Sequence, residues 1–390
     1  MGHHHTPPGL GQPEFFAHSH GLSAPLGSVE PTALHLNGAV LPGGETRDLW
    51  VAESVLRTEP VAGAVTVCKG AWIMPGLVDA HCHIGLGPNG PVPEEVAEAQ
   101  AVTDRDAGAL LVRDAGSPVD TGWIDGRADL PRIIRAGRHI ARPKRYIRNY
   151  ANEIEPEELV AEVARQAVRG DGWVKLVGDW IDRDTGDLSP LWPAEVAAAA
   201  IAVAHELGAR VTAHCFGEES VQQLVRAGID GIEHGTGLDA DTIELMAARS
   251  VALVPTMINL ENFPAFAEAG QERFPRYAEH MRDLYARRWQ TLGVAVEAGV
   301  PVFAGTDAGG TIAHGLVAAE VELLAKLGGI DFALGAASWR ARAWLGAPEL
   351  AEGAWADLVV YAADPRVEPA VLAHPQLVIL RGRVVGGSAS

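Results

Sequence analysis

Between residues 77 and 306 the chain alternates short apolar runs with amphipathic or alanine-rich stretches, and it does so eight times. The runs cover 77–83, 109–114, 132–135, 173–177, 210–214, 231–234, 252–256 and 301–306. Their length suits strands, and the stretches between them carry helix start and stop signals. Pro156 opens a helix over 157–169 that Gly170 ends, and Ser189-Pro190 precedes one over 194–207 that ends at Gly208. Strands separated by helices run parallel, so the pattern predicts an α/β chain folded as a (β/α)8 TIM-like barrel. In such a barrel the chemistry gathers at the C-terminal ends of the strands.

The flanks read differently. Short strands over 33–36, 49–51 and 65–68 are broken by Asn37-Gly38 and Gly43-Gly44, and strands return at 357–361, 377–380 and 384–385 around Gly382-Arg383. The expected division is a flexible N-terminal tail or tag over 1–32, a first part of a small β domain over 33–74, the barrel over 75–350, and the second part over 351–386. The small domain is expected to be a β-sandwich built from both chain ends. His3, His4 and His5 are left out of any metal argument, because a histidine-rich terminus is usually a solvated end.

Composition narrows the partners. A net charge of -19 argues against nucleic acid and against an anionic membrane surface, both of which need a basic footprint. No apolar stretch is long enough to span a bilayer. Three cysteines, Cys68, Cys82 and Cys215, make neither a disulfide framework nor a metal-ligand spacing. Cys82 and Cys215 read as small core residues facing away from their histidine neighbours. A reducing, cytoplasmic setting, a small-molecule substrate and a homo-oligomer are the expectations.

Polar residues at the strand ends carry the chemistry. In the run 75–83, side-chain alternation puts His81 and His83 on one face, two nitrogen donors aimed into one space, which suits zinc. Lys175, His214, His234 and Asp307 each end or nearly end another run and are followed by loop residues. Residues distant in sequence would thereby converge at one mouth.

From about 33 to 385 the chain resembles the amidohydrolase superfamily of metal-dependent hydrolases. The resemblance rests on Pro75-Gly76-Leu77-Val78-Asp79-Ala80-His81-Cys82-His83, Val112-Arg113-Asp114-Ala115-Gly116, Thr212-Ala213-His214, Ile232-Glu233-His234-Gly235, Gly305-Thr306-Asp307-Ala308-Gly309 and Ala356-Asp357-Leu358-Val359-Val360. The lysine in the fourth run moves the likeness toward the prolidase and carboxypeptidase-like branch, which is also similar to imidazolonepropionase. The resemblance implies two Zn2+ ions per chain, with Mn2+, Fe2+ or Co2+ as alternatives. His81, His83 and Asp307 would hold the first and His214 and His234 the second. A bare ammonium would repel both ions, and in the resembling branch the lysine is carboxylated and bridges them; the resemblance implies that role for Lys175. Asp307 would also carry a proton from water to the leaving nitrogen. The implied activity is a metal-dependent amidohydrolase cleaving a C–N amide bond of an acyl-amino acid or dipeptide-like substrate. Its alternatives are a one-metal cyclic amidohydrolase or deaminase, with Lys175 unmodified, and a non-catalytic barrel used for assembly.

Substrate contacts are expected from the loop Arg142-Pro143-Lys144-Arg145-Tyr146-Ile147-Arg148, four cations in seven residues. Arg145, Tyr146 and Arg148 are the candidates there for clamping a carboxylate, and His314 is a candidate lining the mouth. The Gly-Gly-His stretch that relatives often carry near this loop is absent from the sequence.

Overall fold

The computed structural model describes residues 33–387; the tail expected over 1–32 lies outside them. Two parallel sheets form the centre. Leu77–Cys82, Ala109–Asp114 and Arg132–Arg135 make a three-stranded sheet. Asn152–Glu153, Ile140–Ala141, Trp173–Val177, Arg210–Cys215, Gly231–His234 and Ala252–Val254 make a six-stranded one, in that order. Most of these strands are buried along their whole length. Strands covered on both faces read as continuous apolar runs rather than alternating ones, which is why they were legible.

Helices fill the connections, among them Glu94–Asp106, Leu159–Arg169, Ala194–Glu206, Glu218–Arg226, Ala240–Arg249, Pro275–Glu297 and Val317–Gly328. The helix expected over 157–169 begins as a 3-10 turn, Pro156–Glu158, closed by a capping box between Glu155 and Glu158. Ser189 and Pro190 do not start a helix. They close the hairpin of Asp179–Asp182 with Asp187–Pro190, and the helix follows Pro193.

Two expected strands need correction. The run 252–256 stops at Val254, because Pro255 has no N–H to give and Thr256 turns left-handed at φ 48. The run 301–306 makes one isolated bridge, Leu253↔Val302, and a second, Cys82↔Ala308, follows just past it. It still joins the two sheets: Phe303 N donates to Leu253 O at 3.0 Å, while Ala80 N donates to Ala304 O at 2.8 Å. The Thr306 amide, which a regular ladder would use, instead donates to the buried Asp79 carboxylate at 3.0 Å.

Strands from both chain ends join in one seven-stranded sheet: Arg383–Gly386, Leu377–Leu380, Leu358–Tyr361, Val65–Pro75, Ala33–Val40, Glu45–Ala52 and Val55–Arg57. By its hydrogen bonds this is one sheet rather than the two of a sandwich, and its two faces serve different cores. Leu358 and Val360 pack with Leu36, Val51 and Ile73. Val359 and Tyr361 point the other way, into the core shared with the parallel strands. Asn37-Gly38, expected as a turn, lies inside a strand where the register shifts. A Cβ on Gly38 would lie 2.2 Å from the Ala71 carbonyl oxygen, so the close approach requires glycine.

Candidate metal centre

Hydrogen bonding on one side of each imidazole decides what the other side can do. His81 Nδ1 lies 2.7 Å from Glu233 Oε2, and His83 Nδ1 lies 2.6 Å from the Gly116 carbonyl oxygen. Both acceptors fix the proton on Nδ1 and leave the Nε2 lone pairs free. These two Nε2 atoms stand 3.0 Å apart, and Asp307 Oδ1 lies 3.0 Å from one and 2.9 Å from the other. Three electron-pair donors at such spacing repel unless a proton or a cation lies among them. The donor set, two nitrogens and a carboxylate oxygen, fits a divalent ion. His81 and His83 thus share one face, as strand alternation predicts.

The other expected residues surround this cluster. The His234 ring lies 5.5 Å from that of His81 and 4.7 Å from that of His214. His234 Nδ1 is 2.6 Å from Thr256 Oγ1. His214 Nε2 is buried without a hydrogen-bond partner, since Asp179 Oδ1 at 3.6 Å is too far to serve. Such an orphaned nitrogen is what a ligand awaiting a cation presents. Lys175 is 1% exposed. Backbone strain marks the strand ends: His234 adopts φ 70 and Asp307 φ 60, left-handed values that side chains rarely take.

Electrostatics keep three of the four imidazoles ready, while for His81 burial and Lys175 are outweighed by the Asp307 and Glu233 carboxylates, which raise it. Burial lowers His83, and burial with the neighbouring His234 and Lys175 holds His214 well below the usual histidine range. Burial takes His234 down to about 3. All three are therefore neutral imidazoles near pH 7. For Asp307, burial favours the acid, but His81 and His83 outweigh it and keep the carboxylate ionised. Burial lowers Lys175, and Glu233 and Asp307 only partly restore it.

Several participants escaped the sequence reading. Glu233 sits inside the apolar run beside His234, and it binds Arg113 and Thr212 as well as His81. Burial alone would raise its carboxyl; Arg113 and His81 reverse this and hold it well below its usual range. Asn259 Nδ2 donates to Asp307 Oδ2 at 2.9 Å. His139 is fully buried with neither ring nitrogen hydrogen-bonded, and it stacks on His83 at 5.0 Å. Its place is kept by Gly116, where a Cβ would lie 2.6 Å from His139 Nδ1. The available signal was a histidine just past the third strand, in the position where the other donors sit.

The substrate candidates divide. Tyr146 lines a cavity of about 530 Å³ whose floor includes His83, His214 and Asp307. Arg145 does not line it: its guanidinium is spent on Trp180 O, Ser189 O and Ser189 Oγ, with Asp182 at 3.6 Å. Arg148 is exposed and also outside the lining. His314 donates instead to Asp104 Oδ2 at 2.8 Å, where Cys82 Sγ approaches to 3.4 Å and Gly315 N reaches Oδ1 at 2.8 Å. Cys82 is therefore more than core filler. Burial pushes its thiol up, so it stays protonated as a donor to Asp104 and ties the strand to the helix Glu94–Asp106, whose Asp104 in turn holds His314 and Gly315.

The family model described as "Amidohydrolase family" matches residues 72–385. An uncharacterized protein of Mycobacterium tuberculosis is 61% identical over 355 residues, covering 90% of this chain and 96% of that protein. Ochratoxinase of Aspergillus niger is 27% identical over 233 residues, 57% of this chain and 47% of the enzyme. Among solved structures, an Xaa-Pro dipeptidase with bound methionine superposes with TM-score 0.76 at 21% identity, covering 90% of this chain and 99% of that one. The Aspergillus niger ochratoxinase structure gives TM-score 0.75 at 18% identity, over 91% and 96% of the two chains. A match over most of the chain, on a fold that brings two imidazoles and a carboxylate to one point, places this chain in the amidohydrolase family, hydrolases of carbon–nitrogen bonds.

Proposed function

We propose that this chain cleaves the C–N amide bond of a small acyl-amino acid or dipeptide-like substrate with the help of divalent metal. The observation that carries this reading is the approach of His81 Nε2, His83 Nε2 and Asp307 Oδ1 to within about 3 Å of one another, with His83 and Asp307 lining a cavity. The dipeptidase and ochratoxinase among the similar structures support it. We take the two parallel sheets, with the segment 301–308 between them, as one barrel, and residues 75–350 as the catalytic unit.

His81, His83 and Asp307 would hold one ion, zinc by preference, and His214 and His234 a second. Lys175 would join them as a carbamate: the neutral amine that burial favours adds to carbon dioxide and loses a proton, replacing a cation by an anion. What a divalent ion supplies when bound is a polarised carbonyl and water of lowered pKa. The protein supplies the rest. Asp307 accepts the proton of the attacking water and returns it to the leaving nitrogen, while Asn259 steers its Oδ2 oxygen. Glu233 holds the His81 tautomer, and the aromatic cavity excludes bulk water from the carbonyl.

Among the described residues no helix is long and apolar enough to cross a membrane. A cytoplasmic setting, a small-molecule substrate and a homo-oligomer stand as part of the proposal. The test is a hydrolysis screen of N-acyl amino acids, dipeptides and lactams with zinc added, beside metal content. Turnover of open-chain amides at about two ions per chain supports the reading. Turnover of lactams alone, at about one ion per chain, replaces it by the one-metal alternative.

A further inference from the structure

The cavity above the candidate metal centre is walled by aromatic rings. Tyr146, Trp180, Phe216, Phe266, Phe274 and Tyr277 line it, over a floor that includes His83 and Asp307. The rings brace one another: Tyr146 meets Trp180 edge-on at 4.9 Å, and Phe216 lies 4.2 Å from His214. At about 530 Å³ the space is far larger than an acetyl or glycyl group needs. Walls of this kind reward a ligand in proportion to the apolar area it buries, and flat rings reward another ring most.

One cation lines this space. Arg273 is the sole lysine or arginine of the lining, its guanidinium 5.2 Å from the Phe274 ring centre. Three other arginines near the mouth are engaged, Arg145 on Trp180 and Ser189, Arg142 near Glu155 and Arg276 on Thr185, while the exposed Arg148 lies outside the lining. Arg273 has no carboxylate within ion-pair distance among the described residues. In a chain of net charge -19, a local cation raises the concentration of an anionic ligand at the mouth.

Resting on the amide-hydrolase reading, we infer that the substrate is an amide with a bulky aromatic body, seated on these rings, and a carboxylate paired with Arg273. Small acetylated or glycylated amino acids are then poor substrates. The carboxylate clamp expected in the loop 142–148 falls to a residue of a different loop, the one entering the helix Pro275–Glu297.

The experiment uses the metal-loaded protein and sulfonamides, which resist hydrolysis. Calorimetry compares N-(2-naphthylsulfonyl)phenylalanine, its decarboxylated counterpart N-(2-phenylethyl)naphthalene-2-sulfonamide, and N-methylsulfonylalanine. We expect the naphthyl acid to bind at least about a hundredfold more tightly than the small acid, since even one methylene group is worth about tenfold or more in a fitted apolar pocket. It should also bind about tenfold more tightly than the decarboxylated compound, and Arg273→Ala should bring that ratio to near one, with Arg273→Lys recovering part of it. Equal binding of the small acid overturns the aromatic assignment. A ratio unchanged by Arg273→Ala overturns the ion pair, because the carboxylate is then held by the metals. If binding follows expectation while 2-naphthoyl-phenylalanine is not hydrolysed, the cavity assignment stands and the amide-hydrolase reading falls.

Discussion

Glu233 Oε2 lies 2.7 Å from His81 Nδ1 while Glu233 Oε1 receives the guanidinium of Arg113, and all three side chains are buried. One carboxylate thus orients a candidate metal ligand and neutralises a cation inside the sheet. Glu233→Gln keeps the shape but offers a single oxygen acceptor and no charge. Metal affinity should fall about tenfold to a hundredfold, the usual cost of losing a ligand's supporting acceptor. Stability should fall by about 3 kcal/mol because Arg113 is left buried without its counter-charge. Metal titration and denaturant unfolding check the two effects separately; unchanged metal affinity would remove Glu233 from the centre's support.

Lys175→Ala tests the carbamate. The variant should lose the second ion and most of its hydrolysis, and short carboxylic acids added to the buffer should restore part of both. Full activity at two ions per chain in the alanine variant would sink the bridging role.

Asp307→Asn separates ligation from proton transfer. Its amide can still accept from Asn259 but cannot take a proton from water. The variant should keep much of its metal while kcat falls about a hundredfold or more. Loss of metal and rate together, with recovery in excess zinc, would leave Asp307 as a ligand only.

His280 supplies a pH-dependent brace outside the centre. Its ring nitrogens meet Glu218 Oε2 at 2.8 Å and Asp187 Oδ1 at 2.9 Å. The Glu218 pairing raises it against burial to about 9. A histidine raised above its unfolded value near 6.5 stabilises fully below that pH and loses the contribution as pH climbs through the folded value. His280→Gln should therefore cost about 1 kcal/mol at pH 6 and little at pH 10. Thermal unfolding of both proteins across that range gives the answer, and a constant gap would contradict the assignment.

What could be read from the sequence follows from how each feature is encoded. The strands Ala109–Asp114, Arg132–Arg135, Trp173–Val177 and Gly231–His234 have the bounds their runs predict; all but Arg132–Arg135 are buried along their whole length, so apolar residues dominate them and the few polar ones stand out. The segment 301–306 is as apolar, yet Thr306 turns its amide and hydroxyl to Asp79, a partner 227 residues away that no local pattern reveals. The convergence of His81, His83 and Asp307 was legible because parallel strands joined by helices present their C-terminal ends on one side. Arg145 was misplaced because sequence shows a charge but not what already binds it: here, the carbonyls of Trp180 and Ser189. Arg273 stood unnoticed in a helix-entry segment, where nothing local marks it as lining a cavity.

The centre itself is tested most directly by metal content, measured by mass spectrometry on the purified protein and on the His81→Ala/His83→Ala variant. Taking the difference removes any ion held by His3, His4 and His5, which both proteins share. At least one divalent ion per folded chain should vanish in the variant, and hydrolysis of 2-naphthoyl-phenylalanine should vanish with it. A folded variant that keeps the same metal content and the same rate would contradict a centre built on His81 and His83.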